Sequence, residues 1–176
     1  MTFTETGLQG AYVIHPTRIA DHRGYFARAF CQNEFGALGL RSDVAQMNVA
    51  FNPKTGTLRG MHFQEAPHAE AKLVRCTRGA LFDVIVDLRP GSPTLGRWFG
   101  AELSAENGVQ LYAPEGFAHG YQTLMPDSEI CYLTSASYAP AAARGVRFDD
   151  PVFGIAWPLP VSAISDADRQ WPDFRP

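Results

Sequence analysis

The run GTLRGMHFQ, from Gly56 to Gln64, places a histidine and an arginine among mostly apolar side chains. In an extended strand, alternate side chains face opposite sides of the sheet. One predicted face carries Leu58, Gly60, His62 and Gln64, and the other carries Arg59, Met61 and Phe63. We therefore expect His62 to point, with Leu58, into the interior of a barrel. A lone histidine there is more often a hydrogen-bonded core residue than a reactive one, but Lys72 and His119 follow at definite spacings.

Short apolar runs punctuated by Gly, Pro, Asn and Asp extend along most of the chain, a pattern typical of β-strands. The runs predicted as strands span residues 11–16, 24–30, 45–51, 58–64, 71–77, 80–88, 97–103, 109–114, 120–125 and 129–138. Residues 34–40 are predicted to form a short helix, and the segment after Pro140 to form loops and turns packed on the barrel. Residues 1–176 contain no repeat or linker and are interpreted as a single all-β domain, an antiparallel sandwich or barrel.

The composition is that of an ordinary globular protein. A formal net charge of -3 favours neither nucleic acid nor a membrane surface as a partner. No apolar run approaches the roughly 18 residues that span a bilayer, and the N-terminus lacks the basic and apolar regions of a signal peptide. Cys31, Cys76 and Cys131 form no CxxC pair and are interpreted as reduced thiols, which predicts a cytoplasmic protein.

Two spacing patterns resemble the cupin motifs. The second motif, G-x5-P-x-G-x2-H, is matched by Gly108, Pro114, Gly116 and His119. The first motif is matched by Gly56 and His62. Gln64 and Lys72 stand where a second histidine and a glutamate would bind a metal. A protonated lysine repels a divalent cation and offers it no lone pair, so we expect a cupin jelly-roll barrel without a metal ion.

These substitutions predict acid–base chemistry inside the barrel. A lysine and two histidines favour an oxyanion that develops during a reaction. A neutral imidazole can remove a proton when a carboxylate holds its other nitrogen. Proton removal next to a ketone needs such a base, together with a cation where the enolate oxygen forms. Inversion of the carbon also needs an acid on the opposite face, for which Tyr132, in the run EICYLTSASY, is the candidate.

Seven motifs lie between about Asp21 and Asp168, which is most of the chain. They are DHRGYF (21–26), LRGMHFQ (58–64), KLVRC (72–76), FDVIVDLRPGSPT (82–94), LSAEN (103–107), PEGFAHGY (114–121) and DPVFGIAWP (150–158). Together they resemble the dTDP-4-dehydrorhamnose 3,5-epimerase family, metal-free cupins of nucleotide-sugar metabolism. The resemblance implies a homodimer in dTDP-rhamnose biosynthesis that needs no cofactor, with an N-terminal strand exchanged between subunits.

The resemblance also implies a role for each matching residue. His62 would remove the proton alpha to the C4 ketone, Asp168 would pair with it, and Tyr132 would be the acid on the other face. Lys72 and His119 would lie around the sugar ketone. The implied substrate-binding residues are Arg23 and Arg59 for the diphosphate, Gln46 and Asn48 for the nucleotide, Tyr138 for stacking on the base, and Phe26 of the DHRGYF motif.

Five residues depart from the family pattern. Arg28 and Ala143 stand where glutamates are common, Ala167 where a lysine often precedes the aspartate, and Ala50 and Ser137 where a serine and a tyrosine are common. By the resemblance, all five lie around the periphery of the substrate. The chemistry is therefore predicted to be kept, whereas the nucleotide and sugar specificity stay open.

Several interpretations remain open from sequence alone. The first is epimerisation at C3, C5 or both of a nucleotide-linked 4-keto-6-deoxyhexose. The alternatives are a 3,4-ketoisomerase on the same scaffold and a non-catalytic cupin that binds a sugar nucleotide. Asp83 is a lower-ranked site candidate because it could face the barrel near His62. The three tryptophans are interpreted as packing residues: Trp98, Trp157 and Trp171.

Overall fold

The computed structural model describes residues 1–175, and most of its regular structure is strand. Within that range the chain forms thirteen strands and two short helices. The strands are β1 Thr2–Glu5, β2 Tyr12–His15, β3 Arg18–Asp21, β4 Gly24–Ala27, β5 Gln46–Asn52, β6 Leu58–Gln64, β7 Lys72–Arg78, β8 Ala80–Asp87, β9 Trp98–Ser104, β10 Gln110–Ala113, β11 Phe117–Thr123, β12 Ser128–Thr134 and β13 Ala143–Gly145. The helices are α1 Gln32–Ala37 and α2 Asp166–Arg169. Neither of these two helices is long and apolar enough to cross a membrane.

Two antiparallel sheets face each other and form the barrel. One has six strands in the order β1-β2-β10-β7-β12-β5, and the other has five in the order β13-β6-β11-β8-β9. Buried side chains from both sheets meet between them, among them Val74, Leu81, Leu111, Phe117 and Ile130. This double-sheet arrangement is a cupin jelly roll, so the predicted all-β fold class is confirmed.

Segments outside the barrel cover much of the outer faces of both sheets. On the six-stranded sheet, Leu73 of β7 packs in one cluster with Phe35 of α1. On the five-stranded sheet, Val84 of β8 packs in another cluster with Phe153 and Trp157 of the C-terminal segment. Because β8 is buried on both faces, its sequence ALFDVIVD is an almost continuous apolar run.

A β-bulge in β6 sets the direction of two functional candidates. His119 of β11 pairs with His62, and Tyr121 pairs with Arg59, so β6 uses one more residue than β11 over this interval. Residues paired across antiparallel strands point to the same side of the sheet. Arg59 and His62 therefore share a side, and the predicted strict alternation, which placed them on opposite faces, is wrong.

A close approach of β6 and β11 explains one misplaced strand boundary. The sequence predicted a strand from Gly120 onward, whereas β11 already begins at Phe117 and passes through Gly120. A Cβ atom on Gly120 would lie 2.7 Å from the carbonyl oxygen of Arg59, so this crossing requires a glycine. The glycine marks tight packing inside a strand and does not end it.

Other elements differ from the prediction at their ends. Strand β4 ends at Ala27 and β12 at Thr134, three and four residues earlier than predicted. Strands β1, β3 and β13 and helix α2 were not predicted, because segments of three or four residues are too short to show a period. Strands β3 and β4 form a separate two-stranded hairpin that exposes Ile19, Tyr25 and Phe26.

Candidate active site

A cavity of about 630 Å³ opens between the two sheets. Strands β5, β7 and β12 of the six-stranded sheet line one side, and β6 and β13 of the other sheet, with α2, line the other. The predicted site residues on its surface are Gln46, Asn48, His62, Lys72, Tyr132, Tyr138 and Asp168. All four residues predicted to be catalytic are therefore brought together, although His62 and Asp168 are 106 positions apart in the chain.

His62 and Asp168 form an imidazole–carboxylate pair at the cavity wall. Nε2 of His62 lies 2.6 Å from Oδ1 of Asp168. The His62 side chain is 45% exposed, whereas the Asp168 side chain is only 8% exposed. When Nε2–H donates to the carboxylate, Nδ1 keeps its lone pair. This geometry equips His62 to act as a general base toward a molecule in the cavity.

The local sequence around Asp168 fixes its carboxylate. Ser165 caps α2, and its Oγ accepts a hydrogen bond from the backbone N–H of Asp168 at 3.1 Å. Oδ2 of Asp168 accepts a hydrogen bond from the backbone N–H of Gly60 at 3.3 Å. Burial raises the pKa of Asp168, but its hydrogen bonds with His62 and Gly60 outweigh burial, so this pKa lies below its usual range. Asp168 therefore stays ionised at neutral pH.

Lys72, the first residue of β7, is buried with its ammonium held by two acceptors. Nζ donates to the backbone carbonyl oxygen of His62 at 3.1 Å and lies 3.1 Å from Oε1 of Glu70. Burial lowers the pKa of Lys72 below its ordinary value, while the negative charges of Glu70 and Asp83 act to raise it. An ammonium has three N–H donors, so one remains for an oxygen atom in the cavity.

A second imidazole–carboxylate pair, His119 and Asp83, lies in the barrel interior. Nε2 of His119 is 2.8 Å from Oδ1 of Asp83, and the two side chains are 8% and 0% exposed. Burial raises the pKa of Asp83, and the interactions of its carboxylate with His119 and Lys72 offset this rise only in part. Within the described part of the chain, His119 is not among the residues that line the cavity, although it is paired with His62 across the sheet.

Tyr132 lines the cavity from β12, in the sheet opposite to that of His62. Its ring packs against the interior cluster of apolar residues. Burial raises the pKa of the Tyr132 phenol, and the charge of Glu70 raises it further. The phenol is therefore protonated at neutral pH and can donate a proton. His62 and Tyr132 face a molecule in the cavity from opposite walls.

Polar residues of β5 and the segment after β12 complete the cavity wall. Oε1 of Gln46 accepts a hydrogen bond from the backbone N–H of Tyr138 at 2.6 Å, which holds this 66% exposed aromatic residue beside the cavity. Arg59 is exposed and does not line the cavity, and its Nε donates to Oδ1 of Asn52 at 2.9 Å. Its positive charge is close enough to Tyr132 to lower the pKa of that phenol in part.

Four predicted substrate-binding residues do not line this cavity: Arg59 on β6, His119 on β11, and two residues of the β3–β4 hairpin. Arg23 and Phe26 belong to the β3–β4 hairpin, where both side chains are exposed and Arg23 pairs with Asp21 at 2.6 Å. They line a separate shallow pocket of about 300 Å³ that the hairpin forms by itself. Within one chain, the structure does not bring them to the His62–Asp168 pair.

Trp171 and Glu70 are among the cavity residues that were missed at the sequence level. Trp171 was interpreted as a packing residue, but it lines the cavity, and its Nε1 donates to Oδ1 of Asp168 at 3.4 Å. Its ring centroid lies 6.2 Å from that of His62. Glu70 also lines the cavity, and its position two residues before Lys72 is the one signal that could have identified it, because such residues share a face of an extended chain.

The departures from the family pattern fall in two places. Ala143 and Ala167 both line the cavity, so two positions where the family often has charges are small and apolar here. Arg28 lies elsewhere and pairs with Glu34 at 3.2 Å. Across residues 1–175, no three His, Cys, Asp or Glu side chains cluster closely enough to hold a metal ion.

The fold and the cavity define a class of protein, the cupin-like barrels that carry a carboxylate-supported histidine, a lysine and a tyrosine around an interior cavity. Within this class, the sequence profile described as dTDP-4-dehydrorhamnose 3,5-epimerase matches residues 5–176. The chain belongs to this family.

Known proteins resemble the chain over nearly its whole length. A dTDP-4-dehydrorhamnose 3,5-epimerase of Sinorhizobium fredii is 45% identical over 175 residues, which are 99% of this chain and 90% of the relative. The crystal structure of such an epimerase from Elizabethkingia anophelis superposes with a TM-score of 0.95 at 40% identity, covering 99% of this chain and 96% of that one. A Legionella pneumophila dTDP-6-deoxy-D-glucose-3,5-epimerase, solved in complex with dTDP-4-keto-L-rhamnose, has a TM-score of 0.90 at 31% identity and covers 99% of both chains.

Proposed function

We propose that this protein is an isomerase that converts dTDP-4-dehydro-6-deoxyglucose to dTDP-4-dehydrorhamnose by epimerisation at C3 and C5, without a cofactor. The main observation behind the proposal is that His62 and Tyr132 lie on opposite walls of one cavity. Asp168 supports His62, and Lys72 lies on the same cavity surface. The product would feed carbohydrate biosynthesis, including that of polysaccharides or lipopolysaccharides. The free thiols Cys31, Cys76 and Cys131 fit a reducing compartment such as the cytoplasm.

Each inversion consists of two proton transfers. Nδ1 of His62 takes the proton from the carbon next to the C4 ketone. The electron pair of the C–H bond forms the C=C bond of the enolate, and the π pair of the carbonyl group moves to the ketone oxygen. The resulting enolate oxygen accepts a hydrogen bond from the third N–H of Lys72. The Tyr132 hydroxyl then returns a proton to the other face of the carbon, and the enolate collapses to the ketone. Exchange with water restores neutral His62 and protonated Tyr132.

Deuterium exchange tests the chemistry directly. Proton NMR of dTDP-4-dehydro-6-deoxyglucose with the protein in deuterated water should show loss of the C3 and C5 signals and formation of the inverted product. Tyr132→Phe should retain exchange at the carbon that His62 attacks but lose about 100-fold or more in product formation, because the acid of the opposite face is missing. Absence of exchange with the wild-type protein, repeated with the CDP, UDP and GDP analogues, would leave a binding protein as the remaining interpretation.

A narrower specificity is the second candidate function. Ala143 and Ala167 both line the cavity, so the departures from the family pattern fall where a substrate would lie. These departures favour another nucleotide-linked 4-keto sugar as the substrate, on which the protein would act as a single-site epimerase or a 3,4-ketoisomerase. Exchange at only one of the two carbons in the same NMR experiment would favour this candidate.

We also infer that residues 1–176 act as one catalytic domain in a homodimer. The apolar residues Met47, Val49 and Phe51 are exposed along β5, an edge strand of the six-stranded sheet. The β3–β4 hairpin likewise exposes Phe26 beside Arg23. A second copy that covers these surfaces would bury them, and its hairpin would bring Arg23 and Phe26 to the diphosphate and nucleotide of the substrate.

Mixed subunits test this arrangement. In the proposed homodimer, the hairpin of each subunit contributes to the cavity of the other. A mixed dimer of one His62→Ala subunit and one Arg23→Ala subunit then has one intact site, formed by the cavity of the Arg23→Ala subunit and the hairpin of the His62→Ala subunit. A refolded equimolar mixture of two inactive variants should then regain roughly a quarter of the wild-type activity, because half of the dimers are mixed and each has one good site. No regain, or a monomer in analytical ultracentrifugation, would contradict the proposal.

A further inference from the structure

Glu70 presents a buried carboxylate to the cavity wall, and the proton transfers described above do not use it. Its side chain is 9% exposed and that of Lys72 is 8% exposed, and Oε1 lies 3.1 Å from Nζ. Moving two charged groups out of water costs more free energy than an ordinary surface ion pair contributes to stability. A buried pair of this kind therefore adds little to the stability of the fold. We accordingly expect it to have a role in the active site.

The far side of the Glu70 carboxylate is fixed by Gln64 of β6. Oε2 of Glu70 contacts Nε2 of Gln64. Oε1 of that amide accepts the backbone N–H of Ala139 at 2.6 Å, and Nε2 also donates to the backbone carbonyl oxygen of His68 at 2.9 Å. These contacts determine the orientation of the amide, so Gln64 presents N–H donors, and not its oxygen, to Glu70. The carboxylate is held on one side while its other oxygen faces Lys72.

We propose that Glu70 is a positioning residue that keeps Lys72 charged and aims its third N–H at the enolate oxygen. Two of the three ammonium donors are taken by Glu70 and by the carbonyl oxygen of His62, both at 3.1 Å. The remaining donor is the one available to the cavity. The link to the enolate rests on the proposed function, whereas the pairing of Glu70 with Lys72 does not.

Other charged groups around Lys72 do not replace Glu70. The charges that act on Lys72 are those of Glu70 and of Asp83 on β8. The other titratable groups on the cavity wall are His62, Tyr132, Tyr138, Arg144 and Asp168. Asp83 is shared with His119, and Asp168 with His62. Burial is the largest influence on the pKa of Lys72 and lowers it, and Glu70 is the largest influence that raises it. Without Glu70, burial would favour the neutral amine.

The composition of the chain makes this directly measurable, because Lys54 and Lys72 are its only lysines. Protein labelled with 13C at the lysine ε-carbon gives two resonances, which Lys54→Arg assigns. In Glu70→Gln, the titration midpoint of Lys72 should move to lower pH by about one unit or more, since an opposite charge at this distance shifts a pKa by about one to three units. The Lys54 midpoint should not move, and Glu102→Gln, an exposed position on β9, should leave both unchanged.

Kinetics supply the second readout. Glu70→Gln should lower kcat about 10-fold or more at pH 8, and the basic limb of its pH profile should move with the Lys72 midpoint, which a merely structural role would not produce. If Glu70→Gln does not fold, Glu70→Asp withdraws the carboxylate and should move the midpoint in the same direction by less. A Lys72 midpoint unchanged in the folded variants overturns the proposal. Failure of the wild-type protein to enolise substrate would overturn the proposed function, and the titration would still decide the pairing.

Discussion

The barrel contains two imidazole–carboxylate pairs, and they differ in one respect that decides what each can do. His62 and Asp168 lie 2.6 Å apart with the imidazole 45% exposed to the cavity, whereas His119 and Asp83 lie 2.8 Å apart with both side chains almost fully buried. The pairs face each other in the same sheet, since His62 and His119 are partners across β6 and β11. The two pairs thus differ in their access to the cavity, because His62 lines it and His119 is not among its lining residues.

The environments of the two carboxylates differ in the same way. Asp168 accepts hydrogen bonds from His62 and from the backbone of Gly60, and its pKa is lowered despite burial. Asp83 lies deeper, and burial raises its pKa. We therefore expect the first pair to support catalysis and the second to support the structure around Lys72.

Exchanging each histidine for asparagine gives the largest expected difference. His62→Asn should lower kcat about 1000-fold, the scale of a lost general base, and leave the melting temperature close to that of the wild type. His119→Asn should lower the free energy of unfolding by about 3 kcal/mol, because it leaves a buried carboxylate without its partner, while kcat of the folded enzyme stays within about 10-fold. Calorimetry and steady-state kinetics measure both. A His119→Asn variant that is stable but as inactive as His62→Asn would show that His119 contacts the sugar, as the family resemblance implies, and would break the comparison.

The two aspartates should show opposite pH dependences of stability. The pKa of Asp168 is lower in the folded protein than in the unfolded chain, so its contribution is present above about pH 4 and is lost as the pH falls through the folded value. The pKa of Asp83 is raised, so its contribution is complete below about pH 4 and is lost as the pH rises through the folded value.

Urea unfolding of Asp168→Asn and Asp83→Asn at several pH values tests this contrast. The deficit of Asp168→Asn relative to the wild type should be about 2 kcal/mol at pH 7, the scale of a charged hydrogen bond, and should shrink on acidification. The deficit of Asp83→Asn should instead grow as the pH falls from 7 to about 4. If the stability deficits of the two variants changed with pH in the same direction, the assignment of opposite environments to the two aspartates would be contradicted.

Substitution of Trp171 has the smallest expected effect and tests the description of the His62–Asp168 pair. Of the three tryptophans in the described residues, it alone lines the cavity, whereas Trp98 and Trp157 pack against the outer cluster. Binding of dTDP should change the emission of the wild type and of Trp98→Phe, but not of Trp171→Phe. The last variant should lose about threefold in kcat, because one long hydrogen bond to Asp168 contributes about 0.5–1 kcal/mol. An unchanged emission in the wild type would place the ligand elsewhere.

The strands and the reactive residues could be predicted from sequence for different reasons. The ten apolar runs predicted as strands correspond to strands, because short apolar segments between glycines and prolines rarely form another kind of secondary structure. The pairing of His62 with Asp168 came from family resemblance, since no local pattern links residues 106 positions apart. The shared side of Arg59 and His62 could not be predicted, because strict alternation has no means of showing a bulge. Trp171 was missed because an aromatic residue in a Pro- and Asp-rich segment has the same pattern whether it packs or lines a cavity.

The placement of His62 and Tyr132 in opposite sheets has a consequence for the course of the reaction. In the proposed mechanism, the gap between the base His62 and the acid Tyr132 depends on the spacing of the two sheets. Leu81, Ile130 and the rest of the interior cluster pack between these sheets. Small changes in that spacing alter the two transfers unequally, because each depends steeply on distance. We therefore expect the stereochemical fidelity of the enzyme, measured as inversion against simple exchange, to depend on apolar residues that do not line the cavity.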